Sequence, residues 1–443
     1  MTKRHGYALL AALVALIVGL SAAIYAGVTV DDGRRADALA APRTPYGSAA
    51  PVSTGVWVGA WSASPSGAEP DTETNGLAGL SVRNLVHLGV GGTSARITLS
   101  NLYGAQPLTL THASIAVAVD DDTAAAATDS MRRLTFGGAT MVVIPAGQQV
   151  TSDAVRILIP RDSDVLVTTY SPTRSGPVTY HRHARQISYV AEGDRTEDVS
   201  ATAYTEKVEY WRYLTAVDVL SNESDGTLVA LGDSLTDGIT STMGADSRWT
   251  DVLARRLRTA VEDGADVPRY SVVNEGISGN RVLADGRGRP ADNPSGLNRF
   301  SRDVLGRTNV KVVVVDLGVN DILRSTRTAD PDRILDGLRT LVRQAHARGI
   351  RVVGATLMPF GGHRGYTAGR EAVRQTINGE IRAGRVFDTV VDFDEALRDP
   401  YDPRRLRSDY DSGDHLHPSD KGYREMAEAF DLERLEGAVP AEL

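Results

Sequence analysis

Apolar residues along this chain follow a succession of patterns. Gly6 to Val30 is a mostly apolar run with no charged position, and Asp31 to Thr54 mixes Ala, Pro, Ser, Gly and Arg without a period. From about Gly55 to Ser221 apolar and polar residues alternate. After Asp225-Gly226, short continuous apolar runs take turns with stretches of helical period.

In the alternating region, Ala95-Arg96-Ile97-Thr98-Leu99-Ser100 places apolar side chains on one face and polar ones on the other, as in a half-buried strand. Val86 to Val90 and Val155 to Ile159 do the same. Met141 to Ile144, Val165 to Tyr170 and Val178 to His183 add further β-rich runs. Gly91-Gly92, Gly137-Gly138, Pro145-Ala146-Gly147 and Pro172 separate them as turn signals. Many short strands with few helical windows predict a β-sandwich, jelly-roll-like domain over 55–222.

In the second half, Thr227 to Leu231, Ser271 to Asn274, Lys311 to Leu317, Arg351 to Leu357 and Asp388 to Val391 read as strands buried on both faces. Between them, Pro331 to His346 carries Ile334, Leu338, Leu341 and Ala345 on one face and stops before Gly349. A last helix from about Asp420 aligns Tyr423, Met426, Ala427 and Phe430. Alternating strand and helix predicts an α/β domain over 223–443, a parallel sheet covered on both sides. Functional groups in such folds gather beyond the carboxyl ends of the strands.

The ends and the composition add constraints. Lys3, Arg4 and His5 ahead of the apolar run form an export signal, with Ala38-Leu39-Ala40 as a small-x-small cleavage site. Residues 1–40 therefore read as a signal peptide, with an uncleaved membrane anchor facing outside as the alternative, and 41–54 as a flexible linker. A secreted location follows. The chain has 443 residues and no cysteine, which excludes disulfides, thiolate catalysis and cysteine-based zinc sites. A net charge of -8 argues against nucleic acid as a partner, and the membrane enters only through the anchor.

Four segments carry candidate chemistry, each after a predicted strand or before a helix. They are Gly232-Asp233-Ser234-Leu235-Thr236-Asp237-Gly238, Asn274-Glu275-Gly276-Ile277-Ser278-Gly279-Asn280-Arg281, Gly318-Val319-Asn320-Asp321 and Asp414-His415-Leu416-His417-Pro418. A serine hydroxyl needs a base to take its proton, and histidine suits that work near neutrality. A carboxylate on the other ring nitrogen fixes the tautomer. Asp414 and His417 are close enough for one turn to join them, so Ser234, His417 and Asp414 are the candidate triad. Backbone N–H groups of Ser234 and Gly279 and the Asn320 side-chain amide are candidate donors to an oxyanion.

On these residues the sequence resembles the SGNH, or GDSL-type, hydrolases, whose Ser, Gly, Asn and His blocks are present in order from about Thr227 to Phe430. The resemblance implies a flavodoxin-like three-layer domain with a five-stranded parallel sheet, Ser234 as nucleophile and oxyanion donor, and Gly279 and Asn320 as further donors. No Gly-x-Ser-x-Gly elbow surrounds Ser234, which separates the chain from α/β-hydrolases. The expected activity is acyl-ester hydrolysis on extracellular carbohydrates or small soluble esters, without metal or organic cofactor. A lipase and a non-catalytic glycan-binding protein on the same fold are the rival readings.

Other residues have plainer expectations. Asp233 and Asp237 read as turn or cap residues and Asp321 as a loop support. His415 competes with His417 for the role of base, and His363 reads as an exposed loop histidine. His181 and His183 read as surface residues on one strand face, and Trp57, Trp61 and Trp211 as core.

Overall fold

Runs of Val, Leu and Ala form the sheet of the second half because they can be buried on both faces. In the computed structural model, which describes residues 55–436, they are β1 (Gly226–Gly232), β2 (Tyr270–Gly276), β3 (Val310–Asp316), β4 (Arg351–Ala355) and β5 (Thr389–Val391). The leader and linker expected over 1–54 lie outside the described residues. All neighbouring pairs are parallel, in the order β2-β1-β3-β4-β5. That order reverses direction at β1, so a crevice opens there between β1 and β3.

Consecutive residues of each strand serve opposite layers. Val229, Leu231, Val313 and Val315 pack against the helices Pro331–His346 and Ala368–Arg382, through Ile334, Leu338, Leu341 and Ile377. Leu228, Ala230, Val312 and Val314 pack against Trp249–Glu262 and Asp420–Glu428, through Leu253, Tyr423 and Met426. Each buried Val or Leu contributes about 1.5–3 kcal/mol, which is why both faces must be apolar. The helix Pro331–His346 has the bounds that its periodicity predicts, with Asp330 capping it and Pro in its first turn.

The first half is β-rich and antiparallel. One sheet runs Val56–Ser62, Leu214–Ser221, Gly92–Ser100, Val155–Ile159, with Gln149–Thr151 also paired to Gly92–Ser100. A second runs Glu206–Val208, Ser188–Glu192, Leu80–Leu88, Ser163–Ser171, His112–Val117, Arg132–Arg133. Val58, Ile97 and Val217 from the first and Val86, Ile115 and Val167 from the second share one apolar cluster. Trp61 and Trp211 meet edge to face within it at 4.8 Å. A short third sheet joins Trp211–Arg212, Thr179–His181 and Gly67–Ala68.

The two halves form one compact unit, and polar groups fasten them. The Gly59 N–H donates to Thr227 Oγ1 at 2.9 Å. Ser64 Oγ, from the β-rich half, lies 2.6 Å from Glu275 Oε2 and 2.8 Å from Asp303 Oδ2, and accepts from Arg299 at 2.9 Å. Arg299 is fully buried and also donates to the carbonyls of Gly232 and Glu275, at 2.8 and 2.6 Å. It thereby ties together the ends of β1 and β2, where two of the four motif blocks begin. Such a buried cation is tolerable only because carboxylates and carbonyls surround it.

Candidate active site

β1 ends in Gly232, and the chain turns at once into a single helical turn, Ser234–Asp237. Asp233 caps this turn, its Oδ1 accepting the Leu235 N–H at 3.1 Å. The turn lies tightly against the end of β2. A side chain at Gly276 would place its first carbon 2.2 Å from the backbone nitrogen of Asp237, so only glycine fits. Ser234 is thereby set above the sheet at the crevice.

The loop before the last helix brings the other two triad candidates. Asp414 Oδ1 accepts the N–H groups of Leu416 and His417, at 3.0 and 2.8 Å, and Oδ2 lies 2.6 Å from His417 Nδ1. His417 Nε2 is 2.8 Å from Ser234 Oγ. With the carboxylate on Nδ1, that nitrogen carries the proton and Nε2 is left to accept from the hydroxyl. Burial alone would push the Asp414 carboxyl up, but the His417 ring and the two backbone donors outweigh it and hold it below the usual range. His415 turns instead to Asp411, at 2.6 Å, so the two histidines have separate acids and only His417 meets the serine. Asp420 fastens this loop to the segment after Ser234 by accepting from Thr242 and Ser247.

The candidate oxyanion donors follow the ends of β1, β2 and β3. Asn320 Nδ2 donates to Asp233 Oδ2 at 2.9 Å. A side-chain amide has two such protons, so one fixes its orientation and the other stays free. The backbone N–H groups of Ser234 and Gly279 have no acceptor among the described residues. Gly279 has φ +77, and a side chain there would also run into the Arg324 guanidinium at 2.1 Å. Arg324 Nε in turn donates to Asn320 Oδ1 at 3.3 Å. Asp321 supports the neighbouring loop, accepting from the N–H groups of Val282 and Leu283 at 2.7 and 3.1 Å.

Two acids lie beneath the serine. Burial first, and then the neighbouring Asp316, pushes Asp233 well above the ordinary carboxylate range. Burial pushes Asp316 up to about 6. Thr236 Oγ1 donates to Asp316 Oδ2 at 2.9 Å. Asp233 is thus both the helix cap and the acceptor that aims Asn320.

His181 corrects an expectation. It is not a surface residue but 5% exposed, with Nδ1 2.8 Å from the Ser64 carbonyl and Nε2 3.0 Å from Asp237 Oδ1. Period-two alternation identifies the outer face of a strand, but not that another half of the protein covers it. Burial opposes its charge, yet the Asp237 carboxylate raises its pKa; Asp237 is lowered in turn, against its own burial, chiefly by His181. The other oxygen of Asp237 accepts the N–H of Ser278 at 2.8 Å and its hydroxyl at 2.5 Å. A chain of contacts therefore runs from the β-rich half, through the serine's own helical turn, to the residue before Gly279. Sequence reading missed this chain and Arg324, because neither has a local signature. His363 is half-buried and close enough to Asp414 and His417 to interact electrostatically; burial lowers its pKa.

Ligand atoms of His87, Asp164 and Asp246 lie within 4.8 Å of one another, but His87 pairs there with Asp162, Asp164 and Asp246, and none of these residues belongs to the Ser234 site.

Residues 230–425 match the GDSL-like Lipase/Acylhydrolase family. No curated protein matches the chain. Among solved structures, a carbohydrate acetylesterase from Sinorhizobium meliloti is 19% identical, with 46% of this chain and 96% of that one covered and a TM-score of 0.36. An acetylxylan esterase from Geobacillus stearothermophilus is 21% identical over 47% and 93%, with a TM-score of 0.35. A GDSL-like lipase from Bacteroides thetaiotaomicron VPI-5482 is 19% identical over 46% and 84%, with a TM-score of 0.32.

Proposed function

Because this chain belongs, through residues 230–425, to the GDSL-like lipase/acylhydrolase family, we propose that it is an exported serine esterase that removes acyl groups from extracellular carbohydrates or small soluble esters. The observation that carries the mechanism is the pair of contacts on one imidazole: Ser234 Oγ at 2.8 Å from Nε2 and Asp414 Oδ2 at 2.6 Å from Nδ1.

In this reading Ser234 Oγ attacks the ester carbonyl while His417 Nε2 takes its proton. The carbonyl oxygen, now negative, is met by the N–H groups of Ser234 and Gly279 and by the free amide proton of Asn320. His417 returns the proton to the departing alcohol. Water then attacks the acyl-enzyme by the same route, releasing the carboxylic acid and restoring the serine. Asp414, which stays ionised, stabilises the imidazolium at each stage. Export rests on the basic head and apolar run of residues 1–40. The antiparallel pair of larger sheets around one apolar cluster is read as the β-sandwich.

The test is Ser234→Ala with a chromogenic acetyl ester. Turnover is expected to fall by about 10⁴-fold or more with the melting temperature retained, and a serine-reactive phosphonate should label the wild type alone. Undiminished turnover in the variant would overturn the assignment.

A further inference from the structure

Beside the Ser234 turn, a cavity of about 180 Å³ opens between the two halves. Ser66, Tyr180, Arg182 and His183 line it from the β-rich half, and Ser278 and Asp292 from the α/β half. Its position follows from two residues that it shares with the site. Asp237, in its wall, lies one helical turn beyond Ser234, roughly 5 Å along the backbone. Ser278 directly precedes Gly279. The cavity wall is thus continuous along the backbone with the Ser234 turn and with Gly279.

The chemistry of the lining is polar. The side chains of Tyr180, Arg182 and His183 have no hydrogen-bond partner among the described residues, so their donors and acceptors are available. Burial lowers the pKa of His183, which keeps its ring neutral with one donor and one acceptor. Arg182 and Asp292 bring opposite charges, so the cavity has no strong preference for an ion of either sign. Tyr180 adds an aromatic ring, held edge to face on Tyr210 at 5.8 Å between centroids. An alkyl chain entering here would strip water from these groups and return no hydrogen bond. A sugar ring offers hydroxyls to each of them and an apolar face to the tyrosine.

We infer that this cavity is a glycosyl subsite: the β-rich half binds the alcohol part of the ester, an uncharged sugar unit, next to the reacting carbonyl. The inference rests on the esterase reading and sharpens it, because it assigns substrate choice to residues outside the matched family region as well as within it. It also turns the choice against a lipase, whose alcohol or acyl part would be apolar.

The experiment compares kcat/KM of the full chain on acetylated xylo-oligosaccharide and on 4-nitrophenyl acetate, for wild type, His183→Ala, Tyr180→Phe and the distant control Tyr401→Ala. His183→Ala should lower kcat/KM on the oligosaccharide at least tenfold, through KM, and Tyr180→Phe about threefold. The nitrophenyl ester should change far less in both, and the control should match wild type on both substrates. Equal losses on the two substrates, or no loss on either, would overturn the subsite. A second measurement separates the two readings: calorimetric binding of deacetylated xylo-oligosaccharide to Ser234→Ala, with and without His183→Gln. Binding weakened by the second substitution supports the subsite even if wild type hydrolyses no ester. Binding that is absent, or unaffected by it, refutes the subsite even if the enzyme is active.

Discussion

Ser234 and His181 both reach Asp237, one along its own helical turn and the other by a 3.0 Å contact, yet they come from halves built on different principles. The α/β half uses parallel strands whose carboxyl ends converge, so short turns can hold a serine, a glycine and an asparagine around one point. The antiparallel half contributes no member of the proposed triad. It supplies His181 and Ser64, whose partners Asp237, Glu275 and Asp303 all belong to the other half. The difference lies in what each half gives the proposed site: the α/β half its candidate reacting groups, the β-rich half the partners of buried groups beside them. Removing the β-rich half would take from Asp237 the imidazole it is paired with, while Glu275 and Asp303 would keep Arg307, Arg299 and Arg302 of their own half.

Experiments can break this comparison or sharpen it. Asp414→Asn should have the largest effect on chemistry, lowering kcat by about 10⁴-fold with little change in melting temperature, since Asp414 is half-exposed and belongs to a loop. A mild effect would mean that the α/β half does not depend on this acid. His181→Ala should instead act on folding, lowering stability in urea by roughly 3–5 kcal/mol because Asp237 is left charged and buried. A variant with wild-type midpoint and wild-type kcat would show the halves to be separable. Asn320→Ala should reduce kcat by about 10²–10³ with KM little changed; a change in KM alone would remove it from the oxyanion donors.

The His181–Asp237 pair also makes a pH prediction. The folded pKa of His181 is raised above its unfolded value, so the stabilisation is complete below the unfolded value and is lost as pH rises through the folded one. The stability gap between wild type and His181→Ala should therefore narrow from mildly acidic towards alkaline pH. A gap that widens would contradict the charged pair. Smallest of all, Arg324→Ala should lower kcat about fivefold, the worth of roughly 1 kcal/mol, since its contact with Asn320 is long and only part-buried.

Much of the α/β half was legible beforehand, because its signals are local. Continuous apolar runs locate buried strands, and the helix Pro331–His346 announces its face, its cap and its stop within the stretch from Asp330 to Gly349. The four motif blocks could be read for the same reason: three take their shape from a strand end and the turn that follows, and the fourth from the loop that leads into the last helix. His417 is distinguished from His415 by spacing alone, and the structure gives each its own aspartate.

Only tertiary structure decided what depends on distant segments meeting. Asn320 was visible as a candidate, but not that Asp233 would hold one of its two amide protons. His181 looked like a surface residue because alternation reports which side of a strand is polar, whereas burial depends on what packs over that side. The pairing of the antiparallel strands, the fully buried Arg299 between two strand ends, and the polar cavity beside Ser234 share this origin. Each depends on contacts across scores of residues, which local sequence pattern does not encode.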